Sequence, residues 1–111
     1  MTRQSRVMTK PSKPDKHAAW FNRGLILQRL GRYDDAIISY DRVLKIEPEN
    51  AFALYNKAKC YALQNNVALA IESLAQAIAL DPRVRENAKS DADFDTIRGN
   101  ALFQALLESP T

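Results

Sequence analysis

The sequence predicts an all-α chain of two tandem antiparallel helical hairpins, a short α-solenoid, closed by C-terminal capping helices. Three observations carry this reading. Pro48 and Pro82 lie 34 residues apart, and the chemistry around them recurs at that shift. Apolar residues in each copy fall at helical spacing. Each copy is also punctuated by residues that stop a helix.

The recurrence is specific. Trp20 falls on Leu54, Asn22 on Asn56, Arg23 on Lys57 and Gly24 on Ala58. Further on, Ala36 falls on Ala70, Ile37 on Ile71, Tyr40 on Leu74, Val43 on Ala77 and Ile46 on Leu80. Small residues meet small ones and large apolar residues meet large ones.

In the first copy, Trp20, Leu27 and Leu30 form one helical stripe, with Gly24 four residues after Trp20. Gly31 opens a Gly-Arg-Tyr string that ends the helix, and Asp34 is placed as an N-cap or first-turn acid. Ala36, Ile37, Tyr40, Val43 and Leu44 form the next stripe, which Pro48 closes. The second copy repeats this plan from Ala51 to Leu80, with Asn65 and Asn66 in the turn and Pro82 at the end. Hairpins are expected at roughly 18–46 and 51–80. Gly24, Ala36, Ala58 and Ala70 let paired axes approach, and Trp20, Tyr40, Tyr61 and Leu74 fill the space beside the crossing.

The last stretch, 85–111, does not repeat. Phe94, Ile97, Leu102, Phe103, Leu106 and Leu107 supply an apolar side fit to cover the open end of a stack. Asp91 or Asp93, and later Asn100, are candidate N-caps. The organisation is thus a basic tail at 1–16, expected to be disordered, units at 17–50 and 51–84, and a cap at 85–111.

Composition agrees with a packed domain: of 111 residues, 46% are apolar and 26% charged. The net charge of +3 is uneven. Residues 1–16 hold Arg3, Arg6, Lys10, Lys13 and Lys16 against Asp15, so the rest of the chain is close to neutral. The lone Cys60 allows no internal disulfide. No apolar run is long enough to span a membrane. The basic start has no apolar stretch behind it, so no secretory signal is read and the cytoplasm is the expected location.

Catalytic and metal signals are weak. Counted as a calcium loop from Asp91, the sixth position is Thr96 where glycine is needed and the twelfth is Leu102 where glutamate is needed, so Asp91, Asp93 and Asp95 are read as caps and solvated acids. Cys60 is read as a small core residue, although Lys59 beside it would lower its pKa. His17 starts the first helix with nothing near it in sequence to orient it as a base. With one histidine, one cysteine and no glycine-rich phosphate loop, no enzyme, cofactor or metal is expected. The tail has two prolines and no aromatic to stack on bases, which argues against nucleic acid.

The strings W-F-N-R-G-L-I-L from Trp20 and L-Y-N-K-A-K-C-Y from Leu54, with A-I-I-S-Y from Ala36, A-I-E-S-L from Ala70 and the closing Pro48 and Pro82, resemble the tetratricopeptide repeat (TPR) family. The resemblance covers residues 17–84. It departs at Arg23 and Lys57, where the family usually has leucine, and there a buried stem with an outward charge is expected. The stretch after Arg85 resembles the end-of-group segment of bacterial TPR arrays.

The resemblance implies a non-catalytic protein-interaction module, an adaptor or scaffold, that binds a protein or peptide along its concave face. By resemblance, that groove would be lined by Phe21, Asn22, Leu25, Gln28 and Arg29 from the first repeat. From the second it would take Phe52, Tyr55, Asn56, Lys59 and Leu63. The amides of Asn22 and Asn56 offer both a donor and an acceptor to a peptide backbone. The TPR subtype that clamps a C-terminal carboxylate is disfavoured, because Phe21 and Leu25 stand where a basic residue and an asparagine are required. Two alternatives stand beside this reading. One is a self-associating structural protein, since two repeats are fewer than the three usually needed for a stable stack. The other is attachment to nucleic acid or membrane through the basic tail.

Overall fold

The computed structural model describes residues 16–108, so the expectation of a disordered tail lies outside the described residues apart from Lys16, which begins the first helix. The elements are α1 (Lys16–Arg29), α2 (Tyr33–Ile46), α3 (Ala51–Leu63), α4 (Val67–Leu80), α5 (Val84–Ser90), a 3₁₀ helix (Ala92–Ile97) and α6 (Ala101–Glu108). Among the described residues there is no strand. α1 packs on α2 and α3 on α4, α2 packs on α3, and the 3₁₀ helix packs on α3.

Both hairpin turns are built the same way from different residues. Gly31 adopts φ +79°. Its N–H donates to Gln28 O at 3.0 Å, and Arg32 N–H donates to Leu27 O at 2.9 Å. At the equivalent place Asn65 adopts φ +63°, Asn65 N–H donates to Ala62 O at 2.9 Å, and Asn66 N–H donates to Tyr61 O at 2.8 Å. Only glycine and asparagine enter this left-handed region without large cost, and the paired bonds satisfy the last carbonyls of α1 and α3. Asn50 and Asn66 then cap α3 and α4 through their side-chain oxygens. Asp34 lies in the first turn of α2, where its carboxylate accepts from Gln64 Nε2 at 2.6 Å.

The close approach within the first hairpin is at Gly24, where an added Cβ would stand 2.6 Å from the Tyr40 ring. Tyr40 is fully buried, and its hydroxyl donates to Gln28 Oε1 at 2.7 Å. In the second hairpin Leu74 and Ala58 take these places, both fully buried, so a smaller filler leaves room for a methyl group. Ala36 and Ala70 are also fully buried. Trp20 is only half-buried, in an edge role rather than the core filler expected.

The cap closes the C-terminal end through Phe94, Ile97 and Phe103, all essentially buried. Asp91 Oδ1 accepts from Asp93 N–H at 3.0 Å at the start of the 3₁₀ helix, and Asn100 Oδ1 accepts from Leu102 and Phe103 N–H groups at the start of α6. Thr96 Oγ1 donates to Ala62 O at 3.0 Å and ties the cap to the end of α3. Arg98 donates to the carbonyls of Ala88, Lys89 and Asp91, a role that its sequence surroundings do not announce.

Two apolar placements differ from expectation. Leu102 is 68% exposed, because α6 turns Phe103 and Leu107 inward and Leu102 beside them outward. Leu30 is 66% exposed. It lies roughly 80° around the helix from Trp20 and so leaves the stripe it was assigned to.

Candidate functional site

A groove runs between α1 and α3. The spacing of its residues follows from helical geometry: Phe52, Asn56, Lys59 and Leu63 repeat at i, i+4, i+7 and i+11 along α3, while Phe21, Leu25 and Gln28 face them from α1. One end is an apolar pocket of about 450 Å³ lined by His17, Ala18, Phe21, Asn22, Leu25, Asn50, Phe52 and Asn56. The other end holds about 340 Å³ and is lined by Leu25, Gln28, Arg29, Tyr33, Asn56, Lys59, Leu63 and Asp93. The two meet at Leu25 and Asn56.

All the groove residues read from the sequence lie along these two pockets except Tyr55. That side chain turns into the core instead. Its ring packs edge-on against Phe94 with centroids 5.7 Å apart, and its hydroxyl donates to Asp91 Oδ2 at 2.8 Å. Burial, with that hydrogen bond to Asp91 next in weight, pushes the Tyr55 hydroxyl far above its ordinary pKa. Lys59 does line the groove, but its ammonium lies 3.3 Å from Asp91 and 3.5 Å from Asp93. The cap, which the sequence separates from α3 by a whole helix, therefore reaches both residues.

Burial by itself would raise the Asp91 pKa. The Asp93 backbone N–H, the Tyr55 hydroxyl and Lys59 outweigh it and hold the carboxyl below its usual range.

The asparagines are placed unequally. Asn22 is exposed on the groove wall. Asn56 is 9% exposed, and one of its two Nδ2 hydrogens is donated to Phe52 O at 2.9 Å within α3. Phe21 is held edge-on to Tyr40 at 5.7 Å, and Phe52 stands half out of the surface opposite. Sequence reasoning missed His17, Ala18 and Asn50 at the apolar end and Tyr33 and Asp93 at the polar end. The sequence offers His17 no neighbour to orient it; in the fold its Nε2 lies 3.4 Å from Glu47 Oε2, joining the start of α1 to the end of α2.

Cys60 is fully buried. Burial pushes its thiol up to about 12, and Lys59 only partly opposes this. Among the described residues no three His, Cys, Asp or Glu side chains are grouped to hold a metal, and no helix is long and apolar enough to cross a membrane.

Stacked helical hairpins with an apolar groove along their first helices define a helical-repeat interaction module. Residues 17–50 and 51–84 each match a tetratricopeptide repeat model, so the chain belongs to the tetratricopeptide repeat family. Over 58 residues it is 38% identical to the probable UDP-N-acetylglucosamine–peptide N-acetylglucosaminyltransferase SPINDLY of Petunia hybrida. The match takes in 52% of this chain and 6% of that protein, so the chain spans a small fraction of this relative's length.

Proposed function

We propose that the chain is a non-catalytic adaptor that seats an extended segment of a partner protein in the groove between α1 and α3. Family membership supports a protein-interaction module. The observation that carries the finer reading is the apolar end of the groove, where Phe21, Leu25 and Phe52 surround a cavity of about 450 Å³ edged by Asn22, Asn50 and Asn56. Apolar walls reward burial of a side chain, while the amides satisfy the backbone that carries it. Such a segment would place an apolar residue between Phe21 and Phe52 and run toward Gln28 and Arg29. At that end the Lys59 ammonium is already neutralised by Asp91 and Asp93, so Arg29 is the cation a partner would meet.

The proposed setting is the cytoplasm, and the glycosyl-transfer activity in the relative's name is not proposed for this chain. The test is peptide-library selection on the intact protein, followed by affinity measurement for Phe52→Ala and Asn22→Ala. Selected peptides should share an apolar anchor, and each substitution should weaken binding about ten-fold or more. Peptides without a common anchor, or affinities indifferent to both changes, would remove the groove from this role.

A further inference from the structure

The two ends of the stack are finished differently. The C-terminal end is covered by the cap, whereas α1 presents Ala19, Arg23, Ile26 and Leu30 along one outward stripe, with Ile26 59% and Leu30 66% exposed. The 34-residue repeat shows what such a stripe is for. The same positions on α3 are Ala53, Lys57, Cys60 and Gln64. There they lie against the neighbouring hairpin: Ala53 and Cys60 are fully buried in one cluster with Tyr40 and Val43, Lys57 Nζ meets Asp41 Oδ1 at 2.7 Å, and Gln64 Nε2 donates to Asp34 Oδ1. The stripe on α3 therefore receives an antiparallel helix that brings a carboxylate to its basic position.

On α1 that basic position is reinforced. The guanidinium carbons of Arg23 and Arg42 lie 5.9 and 5.1 Å from the centroid of the Trp20 ring. Stacking on an aromatic face holds a guanidinium while leaving N–H groups at its rim for a carboxylate. Arg23 is further fixed by Nε donating to the fully buried Ser39 at 3.2 Å. Nearby carboxylates are engaged elsewhere: Asp35 with Arg32 at 2.6 Å, Asp41 with Lys57, and Glu47 with His17. Two like charges thus share one ring with no carboxylate of the described residues between them. Residues 1–15 bring Arg3, Arg6, Lys10 and Lys13 against a single Asp15, so they add cations rather than the acids this face lacks.

We infer that the outward face of α1, with Arg23 and Arg42 stacked on Trp20 beside Ile26 and Leu30, docks an acidic amphipathic helix of another protein. Because α2 runs antiparallel to α3, the docked helix has apolar residues at j and j+3 or j+4, on Leu30 and Ile26, and an acid at j+7 on the arginine pair. This surface is separate from the groove, and either can fail without the other.

The test uses the full chain and a labelled helix-forming peptide with leucine at j and j+4 and glutamate at j+7, followed by fluorescence anisotropy. Trp20 is the only tryptophan, so its emission reports whether the peptide arrives at this face. Saturable binding is expected, with a change in Trp20 emission. The loss on changing Glu j+7 to Gln, or on Arg23→Gln with Arg42→Gln, should be about ten-fold or more. Phe52→Ala should leave this binding unchanged, which separates it from the groove. The inference is overturned if the peptide does not bind, or if the glutamine peptide or the double arginine variant binds equally well. It is also overturned if removal of residues 1–15 abolishes binding, if polyuridylate or phosphatidylserine vesicles compete for the face more strongly than the peptide, or if sedimentation shows the face occupied by a second copy.

Discussion

α1 and α3 are the equivalent first helices of two successive repeats, yet they live in different surroundings. α1 buries only Gly24 and Leu27. α3 buries Ala51, Ala53, Leu54, Tyr55, Asn56, Ala58, Cys60 and Ala62. Ala19 is exposed where Ala53 is fully buried, and Ile26 is 59% exposed where Cys60 is fully buried. Nothing in the 34-residue pattern distinguishes these positions. What differs is that α3 has a hairpin on one side and the cap on the other, while among the described residues α1 has a neighbour on one side only. In a stack of repeats, burial belongs to the place in the stack as much as to the residue.

The largest expected effect is at the cap, because it is what makes the surroundings of α3 complete. Phe94→Ala should cost about 3–5 kcal/mol from lost transfer and the cavity left between Tyr55 and Phe103. Urea unfolding measures the cost. Hydrogen exchange should show α3 losing protection well before α1, and equal loss in both would break the comparison.

The two hairpins also differ in how they make room at the helix crossing. Gly24→Ala should cost about 1–3 kcal/mol, because the new methyl would stand 2.6 Å from the ring of a fully buried Tyr40, which would have to shift. Adding Tyr40→Leu recreates the Ala58–Leu74 pair of the second hairpin. The double variant should then be less unstable than the sum of the single changes, as a double-mutant cycle would show. Strict additivity would mean that the two residues do not define the crossing.

Acid should act mainly on the cap side. The Asp91 pKa is lowered in the folded state, so its ionised form contributes stability that is present above the unfolded value, near pH 4, and lost as pH falls through the lower folded value. Thermal unfolding between pH 6 and pH 2.5 should show this limb. Asp91→Asn should flatten it at a cost on the order of 1 kcal/mol near neutrality, with no flattening if Asp91 ionisation is not coupled to folding.

The smallest effect is expected where α1 faces outward. Leu30→Ser should change stability by no more than about 0.5 kcal/mol, whereas Leu27→Ala, three residues earlier and 7% exposed, should cost about 2–5 kcal/mol. Similar melting temperatures for the two variants would show that the outward stripe has been misplaced.

Much of this molecule was legible in its sequence because repeat, period and punctuation agree. Pro48 and Pro82 mark the unit ends, Gly31 and Asn65 the turns, and Ala36 and Ala70 small positions that are fully buried, all from short-range chemistry. The residues of the groove came from the family resemblance and not from spacing, and the structure sets Phe21, Leu25, Phe52 and Asn56 around one pocket. Tyr55 and Lys59 were not legible in full, because their partners Asp91 and Asp93 come from a segment that no periodicity connects to α3. Leu30 and Leu102 were misjudged because an apolar residue at a helix end carries no label for which side has a neighbour.

By itself, then, the sequence determined the helical class, the two hairpins, the turn residues that join them and the existence of an apolar cap. These depend on interactions within a few residues, where backbone preference and spacing decide. Only the tertiary structure decided which face of α1 the other described residues leave uncovered, that Tyr55 turns inward to Asp91, that Lys59 is neutralised, and that Arg23 and Arg42 share the Trp20 ring. Those outcomes depend on contacts between segments far apart in the chain. The same repeat consensus is compatible with a covered or an uncovered face, and only the packing of whole helices chooses between them.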